Sequence, residues 1–206
     1  MDSELQALSE HMREFAIGLM GHALWHSVMT GIGNNPWSEQ FGLLHVAHGG
    51  ELLIKAAIAR EHPLLIFSKT PALDKASSQK LTFEHLVRSG RTLGYNELPD
   101  TLWAVTGFAL PDLVTYRRIG ELRNAVQHLA VPNANYASLV LSYLSYVADP
   151  ILREFWSMEV FRVIYENWGE DDYYLFQEEP WLKDALETNG IQYDGWIPTP
   201  ETTRQD

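Results

Sequence analysis

The residues best suited to chemistry are the hexapeptide Arg123-Asn124-Ala125-Val126-Gln127-His128. An arginine and a histidine stand five positions apart, with an asparagine beside the arginine, in a stretch that reads as helix. Metal-free RNA cleavage needs this pairing. Arginine keeps its charge and presents a planar fork that grips a phosphate on two oxygens. Histidine titrates near neutral pH, so it can take a proton from a ribose hydroxyl or give one to a leaving oxygen. The same spacing also describes a plain helix whose arginine and histidine face water, and on spacing alone both readings stay open.

A second segment, His48-Gly49-Gly50-Glu51-Leu52-Leu53-Ile54-Lys55-Ala56-Ala57, lies upstream on another expected helix. A Glu-Leu-Leu-x-Lys-Ala helix followed by an Arg-Asn-x-x-x-His helix, in an all-helical chain, resembles the HEPN superfamily. Those are small helical-bundle proteins, many of them ribonucleases of toxin–antitoxin, CRISPR-linked and anti-phage systems. The resemblance runs from Leu43 to Ala148, and the Arg-Asn-x-x-x-His string is its one sharp element. It implies a homodimer whose motif helices face each other across one cleft. His128 would move the proton, Arg123 would hold the scissile phosphate, and Asn124 would position the backbone or the opposing motif. An antitoxin or defence-system protein would be the partner. Family toxins often carry a tyrosine two residues after the histidine; here that position is Ala130.

Composition bounds the alternatives. At 206 residues with 46% hydrophobic residues, the chain makes one core, with room for an appendage. It has no cysteine, so neither disulfides nor thiolate metal sites enter. Met1-Asp2-Ser3-Glu4 is acidic and opens no apolar leader, so a soluble cytoplasmic protein with no membrane association is expected. The net charge of −12 runs against nucleic-acid binding, but it is uneven. Residues 166–206 carry eleven acids and two bases, a net of −9; residues 1–165 carry sixteen acids and thirteen bases, a net of −3. In that nearly neutral body, Arg117 and Arg118 form with Arg123 a basic cluster suited to RNA phosphates, and Arg88 and Arg91 form another.

The elements that must position these residues are helical. Apolar spacing predicts helices over 3–30 and 38–60, the second stopped by Glu61-His62-Pro63. Leu64 to Phe67 reads as a strand or a packed turn. A short helix capped by Thr82 runs over 82–92, and another starts near Asp100. The motif helix spans 111–129 with Pro111 or Asp112 at its start. A long aromatic-rich helix runs over 135–166 with a kink at Pro150, and a last helix over 180–188 ends at Gly190. The expected fold is all-α: a bundle of four to five main helices over residues 1–166, with residues 167–206 as an acidic, aromatic C-terminal appendage packed on or near it.

On a helical wheel with Leu122 at zero, Ile119, Leu122, Val126 and Leu129 form an apolar stripe. Arg123 then falls near ~100°, Asn124 near ~200° and His128 near ~240°, all off that stripe. On the second helix His48, Glu51 and Lys55 share the arc opposite Leu43, Val46, Leu53 and Ile54. Glu51 and Lys55 make at least a surface i,i+4 pair worth about 0.2–0.5 kcal/mol. Glu51 also has the reach to orient Arg123 or His128, with Lys55 and His48 in support.

The histidine pairs His22/His26 and His45/His48 have the spacing of helix-borne zinc or iron ligands. However, no H-E-x-x-H and no paired E-x-x-H accompany them, so no metal or cofactor is expected. A Walker loop, a dinucleotide fingerprint and a G-x-S-x-G elbow are all missing. The expectation is a metal-independent endoribonuclease that uses RNA's own 2′-hydroxyl, in a toxin or anti-phage defence system. The alternatives are a non-catalytic, HEPN-like nucleotide- or partner-binding helical protein and, behind it, a His-ligated metal enzyme.

Overall fold

The computed structural model describes residues 3–29, 35–71, 81–129, 134–167 and 181–198. The molecule is mostly helical, 77% helix with one tiny two-stranded sheet, which is the all-α bundle expected. In chain order the elements are α1 (Ser3–Leu24, running on as a wide π turn over Trp25–Met29), α2 (Ser38–Glu61), β1 (Phe67–Lys69), α3 (Phe83–Ser89), β2 (Arg91–Thr92) and α4 (Leu98–Thr106). Then come α5 (Leu113–Leu129), α6 (Tyr136–Tyr143), α7 (Asp149–Trp156), α8 (Val160–Asn167) and α9 (Trp181–Thr188). Residues 30–34, between α1 and α2, and residues 72–80, between β1 and α3, lie outside the described residues.

Helix α2 is the axis of the bundle. Fourteen of its 24 residues are buried, on all sides rather than on one stripe, because α1, α4, α5 and α6 surround it. By length and composition α2 could cross a membrane, but two-thirds of that window is buried inside the bundle, where its apolar groups already have protein partners. Ser9 ties α1 to it, donating its hydroxyl to the Ala56 carbonyl at 2.8 Å. After α2, Leu64 to Phe67 turns out to be both alternatives in succession, a 3₁₀ turn over Pro63–Ile66 and then β1. Strand β1 pairs antiparallel with β2, Phe67 opposite Thr92, which fixes Thr92 beside α2. Between the strands, Thr82 caps α3 as expected, accepting from the His85 amide, and α3 stops at Ser89 rather than 92. Helix α4 opens at Leu98, two residues before the expected start.

One expectation is corrected by the backbone. The helix expected over 135–166 is not one element, and its regular winding is first interrupted just before Pro150. A π turn over Leu144–Ala148 joins α6 to α7, and the widened turn absorbs the missing N–H and ring clash of the proline. The chain breaks at Ser157, which takes a left-handed conformation at φ 55° and ends α7. Asp149 then caps the restart, accepting from the Val160 amide at 2.8 Å.

The C-terminal segment shares the core of the body. Leu182, Leu186 and Ile191 are buried in the same cluster as α2 and α6. Tyr193 donates its hydroxyl to buried Asp149 at 2.9 Å, and the Tyr146 hydroxyl accepts from the Gln192 amide at 2.9 Å. Trp168, Tyr173, Tyr174 and Phe176 of the aromatic tail lie outside the described residues.

Candidate active site

Helix α5 starts where Asp112 accepts both the amide and the hydroxyl of Thr115, at 2.9 and 2.6 Å, so a side chain satisfies the first turn. Its buried face is not the stripe read from the apolar residues. Tyr116, Ile119 and Gly120 are buried, Leu122 and Val126 are half-buried, and Leu129 is 75% exposed. On the wheel used above this face centres near ~110°, which brings Arg123 into it and leaves Asn124 and His128 outside. The stripe is displaced because tyrosine and glycine carry the packing. The Tyr116 ring stacks on Tyr95 at 4.1 Å and 7°. The two also exchange hydrogen bonds: the Tyr116 hydroxyl donates to the Tyr95 carbonyl at 2.7 Å, and the Tyr95 hydroxyl to the Tyr116 carbonyl at 3.0 Å. The Tyr143 hydroxyl lies 3.5 Å from that of Tyr95.

Two glycines make room for these rings. A Cβ at Gly120 would overlap the Tyr95 ring, and one at Gly50 would overlap the Tyr143 hydroxyl. Burial, before any neighbour effect, pushes the Tyr95, Tyr116 and Tyr143 phenols well above their ordinary range. The Glu51 carboxylate adds to this push on all three.

Against this tyrosine wall sits a three-membered charge network. Glu51 accepts from the Lys55 ammonium at 2.7 Å with one carboxylate oxygen and from an Arg123 guanidinium nitrogen at 3.0 Å with the other. Lys55 is buried on α2 and donates also to the Thr92 hydroxyl at 3.2 Å. The Arg123 guanidinium lies over the Tyr95 ring, 5.4 Å from its centre, a cation–π contact. Its Nε is buried with no hydrogen-bond partner.

The predicted residues therefore separate into groups. Glu51, Lys55 and Arg123 come together. His48 does not join them: it is exposed, and its ring meets Phe15 of α1 edge-on at 6.1 Å. Asn124 and His128 are exposed on the outer side of α5 and have no side-chain partner among the described residues. Arg117 and Arg118 stand on that side too, lining a shallow depression of about 300 Å³ with Leu113, Val114 and Glu121. The Arg118–Glu121 pair is long, 3.9 Å, and both members are exposed, so it leaves Arg118 free to take a phosphate. No group of three or more His, Asp or Glu among the described residues is set to hold a metal ion.

Sequence reasoning missed Tyr95, Tyr116, Tyr143 and Thr92. Gly50 and Gly120 were the available signal, since a glycine inside a helix costs about 0.5–1 kcal/mol and implies a close neighbour in return. Comparison with family models, with curated proteins and with solved structures finds no match for the chain.

Proposed function

We propose that the protein is a metal-independent endoribonuclease of HEPN type that works as a homodimer. The observation that carries the reading is the Glu51–Arg123 bridge, 3.0 Å, which joins the Glu-Leu-Leu-x-Lys-Ala helix to the Arg-Asn-x-x-x-His helix. A carboxylate on α2 and an aromatic wall hold Arg123 in place. His128 stands exposed further along the same helix, ready to exchange protons with solvent and substrate.

In this reading RNA supplies the nucleophile. The 2′-oxygen attacks the adjacent phosphorus, its proton goes to a neutral His128, and the bond from phosphorus to the 5′-oxygen breaks. A protonated His128 hands a proton to that leaving oxygen. The products carry a 2′,3′-cyclic phosphate and a 5′-hydroxyl. Arg123 counters the charge gathering on the phosphoryl oxygens. Arg117, Arg118 and Asn124 position the strand along the outer face of α5.

Base and acid must act on opposite sides of the phosphate, and each chain brings one His128, so a symmetric pair of motif helices meets the requirement. The outer face of α5 supports this pairing, because Val114 and Leu129, near its two ends, are 80% and 75% exposed. A defence-system or antitoxin protein that covers this face would silence the enzyme.

A non-catalytic partner-binding protein is the second reading. It is favoured by one observation: Glu51 already occupies one side of the Arg123 fork. The experiment that separates the two uses the full chain with matched single-stranded RNA and DNA, with and without EDTA. Cleavage of RNA alone, unchanged by EDTA and leaving cyclic phosphate ends, is the expected result. No cleavage, or equal cleavage of DNA, overturns the proposal.

A further inference from the structure

Three histidines gather where the end of α1 meets α2. His22 is exposed on the last turn of α1, His26 is half-buried in the π turn that follows, and His45 is half-buried on α2. Their ring centres are 6.2 Å apart for His22 and His26, 5.8 Å for His22 and His45, and 5.5 Å for His26 and His45. Neutral rings at this spacing pack on one another, whereas imidazolium charges about 6 Å apart repel. The helices leave no slack beside them. A Cβ at Gly42 would strike the Ser27 hydroxyl, and one at Gly49 would press on the Ala16 carbonyl at 3.0 Å, so α1 and α2 touch one turn before and one turn after His45.

The seam between the helices is poor in fixed charge. Residues 15–29 and 40–50 hold no Asp, Glu, Lys or Arg, so the histidines are the only side chains there that mild acid can charge. The acids of α2 on either side are Glu39, exposed on the first turn and acting on Tyr136, and Glu51, held by Lys55 and Arg123. Helix α6, packed on the same end, brings only Tyr136 and Tyr143, and α8, packed on α1, brings Arg162, Tyr165 and Glu166. The His45 Nδ1 is buried with no hydrogen-bond partner. In an imidazolium both ring nitrogens carry hydrogen, so protonation would make that atom a buried donor without an acceptor. Burial lowers the His26 and His45 pKa values below the ordinary 6.5, and the charges of neighbouring histidines lower them further.

We infer that His22, His26 and His45 are an acid-operated latch. At neutral pH the uncharged rings close the end of α1 and its π turn onto α2; in mild acid they take up protons and that end lifts. The other end of α1 stays in place through the Ser9 bond to the Ala56 carbonyl. A histidine that is harder to protonate in the closed form than in the open one favours closure fully above its ordinary value of 6.5, and that contribution is lost as pH falls through the window below. Lifting uncovers Ala23, Leu24, Leu43 and Val46, all buried in the closed form, so the latch presents an apolar face only in acid. None of the three histidines serves the ribonuclease reading, and the latch does not rest on it.

The test is amide hydrogen exchange of the full chain at about pH 7.5 and about pH 5.5, either side of the ordinary histidine value, with rates corrected for the intrinsic effect of pH. Residues 20–29 and 38–48 are expected to lose protection in acid and to regain it on return to neutral pH, while residues 113–129 of α5 keep theirs. His45→Gln, uncharged at both pH values, removes most of the acid loss. His22→Gln, at an exposed position, moves the loss to lower pH and decides the matter if His45→Gln does not fold. His11→Gln, at an exposed histidine outside the cluster, behaves as the wild type. Wild-type protection of residues 20–29 and 38–48 that survives the acid step overturns the inference, and so does an equal loss in α5. A folded His45→Gln, or a His22→Gln, that opens at the wild-type pH overturns it too.

Discussion

Arg123 and His128 lie on one helix, yet their surroundings have little in common. Arg123 is about three-quarters buried, ion-paired and stacked on a tyrosine. His128 is exposed and has no side-chain partner among the described residues. One side of α5 is a polar core in which every member depends on the others. The other side is a surface on which a residue can be removed without touching the fold. The consequence for experiment is that a loss of activity on the Arg123 side mixes stability with chemistry, whereas a loss at His128 reports chemistry alone.

The largest effect that probes this contrast needs no mutation. The phenols of Tyr95, Tyr116 and Tyr143 titrate above the ordinary value of 10.0 because they are buried. A folded-state pKa raised above the unfolded one stabilises the fold fully below pH 10 and loses that contribution as pH rises through the folded value. Tyrosinate absorbance should therefore rise in two steps, exposed rings first and the buried group only with the loss of helical circular dichroism. A single tyrosinate step completed while the helices persist breaks the account of the polar core.

Next in size is Glu51→Ala. It leaves the buried Lys55 and the mostly buried Arg123 without their common carboxylate, and breaking such a pair from one side costs about 3 kcal/mol. Urea unfolding should show this as a lower midpoint, and a midpoint within about 0.5 kcal/mol of wild type would mean that the network contributes little. Gly50→Ala follows at about 2 kcal/mol, since its Cβ overlaps the Tyr143 hydroxyl and overpacking costs about 1–3 kcal/mol. Gly50→Ala combined with Tyr143→Phe removes the overlapping hydroxyl and should recover part of that loss in the same unfolding measurement.

The fold was legible where a single rule governed. Helical spacing, the Thr82 and Asp112 caps and the proline after α2 placed most elements within a few residues. It was not legible where packing rode on residues that a hydrophobic pattern leaves out. Tyr116 and Gly120 moved the buried face of α5 toward Arg123, and reciprocal tyrosine-to-carbonyl bonds are invisible to periodicity. Glu51 as the partner of Arg123 was legible because its position on α2 left it off the apolar face with a long, charged reach. His48 shared that position but is turned toward α1, and only the three-dimensional crossing of α1 over α2 decides between them.

The smallest effect on the fold carries the largest consequence for function. His128→Ala should leave the urea midpoint within about 0.5 kcal/mol of wild type, as surface substitutions do. The most direct test of the central claim is to measure that midpoint alongside single-stranded RNA cleavage, in EDTA, for the wild type and His128→Ala. The account predicts a cutting wild type and an equally stable variant that does not cut. A variant that cuts at the wild-type rate, or a folded wild type that leaves RNA intact, contradicts it.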